Sequence, residues 1–198
     1  IPHGESPYAL TVDSADNLYY AAGYGGSFGG AIGKITPTGT TTSIISEISG
    51  SAPAATLNRP QGITIDASGN LYVANQYSCD IFRITPSKNV SLLAGGSYGV
   101  SDGVGNQAQF RLINDIAYDG HGHLLVADDT RVRSVDIATG AVTTVSGETY
   151  GGYHPSNPTL YGSPQGISTD TDGKILVADY YNRAILKIQD DGSSTVFA

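Results

Sequence analysis

The sequence predicts an all-β chain, a β-propeller of four four-stranded antiparallel blades. Three observations carry that prediction. An aspartate recurs at Asp13, Asp66, Asp119 and Asp170, with periods of 53, 53 and 51 residues. Each aspartate closes a short apolar-alternating run and is followed five residues later by an aliphatic-led one. No segment shows the 3.6-residue apolar period of an amphipathic helix. A period of about 50 residues with several short strands per unit belongs to propeller blades rather than helical repeats.

The elements follow in the same order in every unit. The first strand is Leu10–Asp13, Ile63–Asp66, Ile116–Asp119 and Ile167–Asp170. The second is Leu18–Ala22, Leu71–Asn75, Leu124–Asp128 and Ile175–Asp179, and the third Ile32–Ile35, Ile81–Ile84, Val132–Val135 and Ile185–Ile188. Turn chemistry comes next, in Thr36-Pro37-Thr38-Gly39, Thr85-Pro86-Ser87-Lys88, Ala138-Thr139-Gly140 and Asp190-Asp191-Gly192. There Pro presets one dihedral and Gly permits a positive one. A Thr, Ser and Val-rich fourth run closes each unit at Thr40–Ile45, Val90–Leu93, Ala141–Val145 and Ser194–Phe197.

These residues resemble the NHL repeat. Its pattern is a Pro-x-Gly opening, a strand ending in Asp, a Gly-Asn turn, a strand ending Val-Ala-Asp, then an Asn and an Arg-Ile pair. Pro60-Gln61-Gly62 to Asn75 and Pro164-Gln165-Gly166 to Asn182 match closely, apart from the turn of the latter. The third unit opens through Ile113-Asn114-Asp115, and the first ends its second strand in Tyr20-Ala21-Ala22. The family's Asn survives only as Asn182 and its Arg only as Arg133. The resemblance covers nearly the whole chain and implies the propeller fold; members bind protein, RNA or ligands, and a few are enzymes, so it leaves function open.

The blades are expected at about 6–48, 59–95, 112–147 and 163–198, as one domain. Better-known NHL propellers have six blades, and 198 residues leave no room for two more. The chain therefore either forms a compact four-bladed ring, with its first and last blades meeting by face packing, or takes part in something larger. The unpaired edges of the outer strands must be blunted or used for association.

Composition bounds the setting. Charged residues make up 14% of the chain, against about 25% in an average domain. The surface must be built from Ser, Thr, Asn, Gly and Tyr. A net charge of -8, with ten basic residues spread over four blades, argues against a nucleic-acid partner, which needs clustered Lys and Arg. No apolar run is long enough to span a membrane. With Ile first and no Met, the chain is expected to be a processed product or an excised domain. The lone Cys79 forms no internal disulfide and is expected to be a small packed residue rather than a nucleophile. Together these features favour an extracellular or secreted home, where Asn89-Val90-Ser91 is a candidate glycosylation sequon.

Propeller geometry places the long segments 21–31, 49–59, 95–111 and 147–163 on one face, and variable loops on a rigid scaffold are where binding resides. At its centre Tyr8, Gln61, Asn114 and Gln165 share one repeat position and are expected to ring the channel mouth with hydrogen-bonding groups. Around them stand Tyr24, Phe28, Tyr77, Tyr98, Tyr150, Tyr153, Tyr161, Tyr180 and Tyr181, with Arg59, Arg111, Arg131 and Arg183. Tyr and Arg are the residues of binding hot spots. The ligand-binding set is thus Tyr8, Gln61, Asn114, Gln165, Tyr77, Arg131, Tyr180, Arg183 and His154.

Other constellations point to structure. The four repeated aspartates precede tight turns and can accept their backbone amides. Asp170-Thr171-Asp172-Gly173 resembles the start of a calcium loop without its bidentate Glu, and His121-Gly122-His123 falls in a turn with no third ligand nearby. Asn75, Asp128 and Asp179 are expected to cap the loop that follows them. No metal, cofactor or catalytic motif emerges. The leading expectation is a non-enzymatic module binding protein or glycan; the alternatives are a self-associating protomer of an extracellular polymer, and a lyase or hydrolase on a propeller scaffold.

Overall fold

A computed structural model describes residues 5–24, 30–45, 57–147 and 162–198. Every described strand lies in one of four antiparallel sheets, and within each sheet the four blade strands follow in sequence order. Blade 1 holds β1 (Glu5–Val12), β2 (Leu18–Tyr24), β3 (Gly30–Ile35) and β4 (Thr41–Ile45). Blade 2 holds β5 (Pro60–Ile65), β6 (Leu71–Asn75), β7 (Asp80–Ile84) and β8 (Val90–Gly95). The crossover to blade 3 carries β9 (Gly103–Val104) and a 3₁₀ turn, Gly105–Gln107. Blade 3 then runs β10 (Ile113–Tyr118), β11 (His123–Asp128), β12 (Arg131–Asp136) and β13 (Ala141–Gly147). Blade 4 is β14 (Pro164–Thr169), β15 (Ile175–Asp179), β16 (Ala184–Ile188) and β17 (Ser194–Val196). The fold is a four-bladed β-propeller.

The repeated turns form as their chemistry dictates. Asp66 Oδ1 accepts the amides of Ser68 and Asn70 at 2.8 and 2.9 Å, and Asp13, Asp119 and Asp170 each accept the two corresponding amides. The Asp170 turn is thereby saturated as a turn. Its other oxygen takes the Lys187 ammonium at 2.7 Å, and that bond, with the Lys174 amide, holds the carboxyl below its ordinary range.

Two features depart from the expected four-strand plan. First, β9 pairs with β13, giving blade 3 a fifth strand that blunts its outer edge. Asp102 drives this: it accepts the Thr144 amide at 3.1 Å and Thr144 Oγ1 at 3.0 Å, while the Arg133 guanidinium reaches it at 2.8 Å. Second, Asp128 and Asp179 hold the crossover that precedes their blade's innermost strand, in addition to any role in the following loop. Asp128 Oδ1 accepts the Arg111 and Leu112 amides at 2.8 and 2.9 Å, and Asp179 accepts those of Gly162 and Ser163 at 2.8 and 3.0 Å. Asn75 does the same more weakly for Asn58, at 3.3 Å.

Blades meet through apolar seams with a repeating plan. Ala21 and Ile32 of blade 1 face Ile63, Leu71, Val73 and Ile84 of blade 2. Tyr72, Ala74 and Ile81 of blade 2 face Ile116, Leu124, Val126 and Val135. Leu125, Ala127 and Val132 of blade 3 face Ile167, Val177, Leu186 and Ile188. Among the described residues no such cluster joins blade 4 to blade 1. Leu10, which shares the repeat position of Ile63, Ile116 and Ile167, is 65% exposed, whereas those three are 3, 3 and 7% exposed.

Candidate functional site

The four residues expected at the channel mouth share a backbone device. In β1, β5, β10 and β14 the pairing register slips between Pro7 and Ala9, Pro60 and Gly62, Ile113 and Asp115, and Pro164 and Gly166. The residue at each slip is Tyr8, Gln61, Asn114 or Gln165. A β-bulge bends its strand and re-aims a side chain, so each blade turns the same position out of its sheet.

What these side chains then do differs. Tyr8 is 45% exposed and lies over Gly23, where a Cβ would come within 2.6 Å of its ring. Gln61 is half-buried. Gln165 is exposed, its amide nitrogen donating to Ser163 Oγ at 2.8 Å. Asn114 is buried and spans blades: Gln76 Nε2 donates to its Oδ1 at 3.0 Å, and its Nδ2 donates to the Pro164 carbonyl at 2.7 Å. Both its polar atoms are engaged in holding blades 2, 3 and 4 together.

Around the mouth the loop-rich face displays aromatic rings fixed by arginines. Arg59 donates to Tyr77 Oη at 2.8 Å with its guanidinium 5.1 Å from the ring centroid. Arg111 repeats the arrangement one blade on. It donates to Tyr98 Oη at 2.8 Å, stands 5.9 Å from the ring and pairs with Asp129 at 3.1 Å. A cation held over a ring is attracted by its quadrupole; here it also limits the ring's freedom. Tyr77 and Tyr98 remain 51 and 67% exposed. On blade 4, Tyr180 and Tyr181 meet edge to face at 5.3 Å, and both are exposed. With Gln165 and Arg183 they rim an open depression of about 1020 Å³ whose floor is Ala178, Ala184 and Ile185.

The loop face also gathers non-glycine residues in the left-handed region, at Arg59, Cys79, Asp129 and Arg183, with φ between 54 and 57°. Such conformations persist where surrounding contacts enforce them, and they cluster at functional surfaces. Arg131, expected at the rim, is buried at the start of β12. His154, Phe28, Tyr150, Tyr153 and Tyr161 lie outside the described residues, as does the side chain of Tyr24. Asn89 is exposed in the β7–β8 turn, where its amide is held by Thr85 Oγ1.

The structure gives buried roles to two acidic residues: Asp115, which the repeat pattern marked only as a departure, and Asp128, expected as a loop cap at the end of its strand. Asp115 stands where blades 2 and 4 have Gly62 and Gly166. Its Oδ2 accepts the Ile167 amide of blade 4 at 3.0 Å and its Oδ1 the Ile116 amide at 2.8 Å. Burial outweighs these bonds and pushes the carboxyl up to about 6. Asp128 is fully buried against Arg133 at 2.9 Å, and burial again raises its carboxyl above the ordinary range. Cys79 is buried against the Gln76, Tyr77 and Arg111 carbonyls, and burial pushes its thiol up, away from nucleophilic character. Among the described residues no three His, Cys, Asp or Glu side chains gather as a metal cage.

Comparison with known proteins supports the fold and stops there. No protein-family model matches the chain, and no curated protein matches it. Solved structures do. A Bacteroides thetaiotaomicron protein of unknown function is 24% identical over 91% of this chain and 46% of its own, with a TM-score of 0.73. An auxiliary nutrient binding protein from the same organism is 19% identical over 92% of this chain and 47% of its own, with a TM-score of 0.69. A streptogramin B lyase is 14% identical over 100% of this chain and 55% of its own, with a TM-score of 0.65. These likenesses are to β-propellers. The chain spans about half the length of each, and the NHL resemblance rests on its repeats alone.

Proposed function

We propose that the chain is a non-enzymatic extracellular interaction module that recognises a protein or glycan through its loop-rich face. The observation that carries this is the set of exposed, pre-positioned tyrosines there: Tyr77 braced by Arg59, Tyr98 braced by Arg111, and the Tyr180–Tyr181 pair beside Arg183 and Gln165. A ring held before contact loses little entropy on binding. Tyrosine offers an apolar face to a sugar ring or side chain and a hydroxyl to its polar edge. The shared scaffold of a nutrient binding protein fits this reading, as do the low charge and single thiol of the sequence.

The test is a screen of the 198-residue chain on glycan and peptide arrays, then titration of the best ligand. Tyr77→Ala and Tyr180→Ala should each weaken binding about tenfold or more, the effect of a hot-spot residue. Gln61→Ala/Gln165→Ala/Tyr180→Ala should abolish it while leaving the circular dichroism spectrum and urea midpoint unchanged. Unaltered affinity in the triple variant would remove the site assignment.

A further inference from the structure

We infer that the two outer blade faces, that of blade 1 carrying Leu10 and that of blade 4 carrying Ala178 and Ile185, dock a second copy of this chain head to tail.

The repeat itself shows what each face takes. In all three internal seams, one blade contributes Ile63, Ile116 or Ile167, and its predecessor contributes an Ala and a β-branched residue: Ala21 and Ile32, Ala74 and Ile81, Ala127 and Val132. Those six predecessor residues are all 0% exposed. The same positions on blade 4 are Ala178 and Ile185, and both remain partly open to solvent. Their counterpart on blade 1 is Leu10, with Val12 beside it on the same side of β1, 65 and 49% exposed. One copy therefore presents the first half of a seam and a second copy the other half.

Polar contacts extend the match. Gln76, first residue after β6, donates to Asn114, the bulge residue of the next blade. Tyr180 holds the position of Gln76, and Tyr8 is the bulge residue of blade 1. A second copy seated on blade 4 brings its Tyr8 to Tyr180, over the depression whose floor is Ala178 and Ile185. Charge does not oppose the contact. Tyr8, Leu10 and Val12 are uncharged, so they meet no like charge on blade 4, where Lys187 is neutralised by Asp170 and Arg183 stands at the rim of the depression.

Area sets the strength. Four strands about 4.8 Å apart and five residues long at about 3.3 Å each give roughly 300 Å² per face, or about 600 Å² per seam. That is below the roughly 1,200 Å² of stable interfaces, so each junction is weak and association depends on concentration. A head-to-tail contact closes a ring if its rotation permits and otherwise grows as a filament.

The experiment measures mass by light scattering and analytical ultracentrifugation on the 198-residue chain, from micromolar up to about 1 mM, the range expected of a seam this small. The wild type should gain mass with concentration. Leu10→Asp, which blocks the blade 1 face, and Ala178→Arg, which blocks the blade 4 face, should each stay monomeric. Mixed together they should form a particle of two copies, because each retains the face the other has lost. Phe197→Asp, at a 62% exposed site beside Lys187, replaces Ala178→Arg should the latter not fold. A wild type that stays monomeric overturns the proposal and assigns the faces to another occupant. Variants that associate like the wild type overturn it too. A second copy on blade 4 covers the Tyr180 rim assigned above to the ligand, so the two compete there; Leu10→Asp stays monomeric with that rim open, and ligand binding is read on it apart from assembly.

Discussion

Arg133→Leu is the most informative single change to the scaffold. The guanidinium is fully buried and makes four bonds: to Asp128 Oδ2 at 2.9 Å, Asp102 Oδ1 at 2.8 Å, and the Gln109 and Ser101 carbonyls at 3.1 Å each. It also stands 5.3 Å from the Phe110 ring. Leucine fits the site by shape, since blade 4 carries Leu186 at the same repeat position, so lost volume is a minor part of the cost. The main cost is the Asp128 carboxylate, left buried with two amide donors and no cation; breaking such a pair costs about 3–5 kcal/mol. Asp102 is half-exposed and can return to water, so it adds little. Against a total stability of roughly 5–15 kcal/mol, urea unfolding followed by circular dichroism should show a large fall in midpoint at constant slope. Adding Asp128→Asn keeps an acceptor for the Arg111 and Leu112 amides and removes the orphaned charge. The double variant should therefore be more stable than the sum of the single effects by about 1–3 kcal/mol.

The same reasoning fixes a pH dependence. Burial raises the folded-state value of Asp128 above the unfolded one, so its favourable contribution is present below the unfolded pKa and lost as pH rises through the folded one. Without Arg133 that loss deepens, and the deficit of Arg133→Leu should be largest near neutrality and narrow toward pH 4. A single-variant cost below about 1 kcal/mol, or strict additivity in the double variant, would show that the pair does not hold the crossover as argued.

Three further outcomes are expected. Asp115, raised to about 6 by burial, makes a contribution that is present below pH 4 and disappears as pH rises through 6, a swing of about 3 kcal/mol at most. Asp115→Asn should flatten the urea midpoint between pH 4 and 7, and an unchanged profile would contradict the assignment. Asp66→Ala should cost about 1 kcal/mol more than Asp13→Ala, because Tyr72, which donates to Asp66 at 3.0 Å, is buried, whereas Tyr19, which donates to Asp13, is half-buried; equal midpoints would refute this. Asn114→Ala should loosen three blades at once and raise amide exchange at Ile113 and Gln165 by roughly tenfold or more, as loss of about 1.5 kcal/mol predicts; exchange unchanged from wild type would mean that the Asn114 bridge carries no stability.

The four blades are legible from the chain's own repeats. Period-two alternation and turn residues are local properties repeated four times, so strand order, turn position and the aspartate caps at Asp13, Asp66, Asp119 and Asp170 could all be read from spacing. The repeats also placed Tyr8, Gln61, Asn114 and Gln165 at one repeat position, which proved to be the bulge. How equivalent positions differ emerges only once the blades are packed. Asn114 is consumed by Gln76 and Pro164 while Gln165 stays exposed; Arg131 is buried while Arg59 and Arg111 clamp tyrosines; and Leu10 faces solvent while Ile63, Ile116 and Ile167 are buried. The physical reason is that a repeat fixes each residue's place within its own blade, whereas burial, charge and partners are set by the next blade and by the crossovers. Those contacts join residues about 50 positions apart, as Ile167 joins Asp115 and Tyr118 joins Thr64, and no local pattern encodes them.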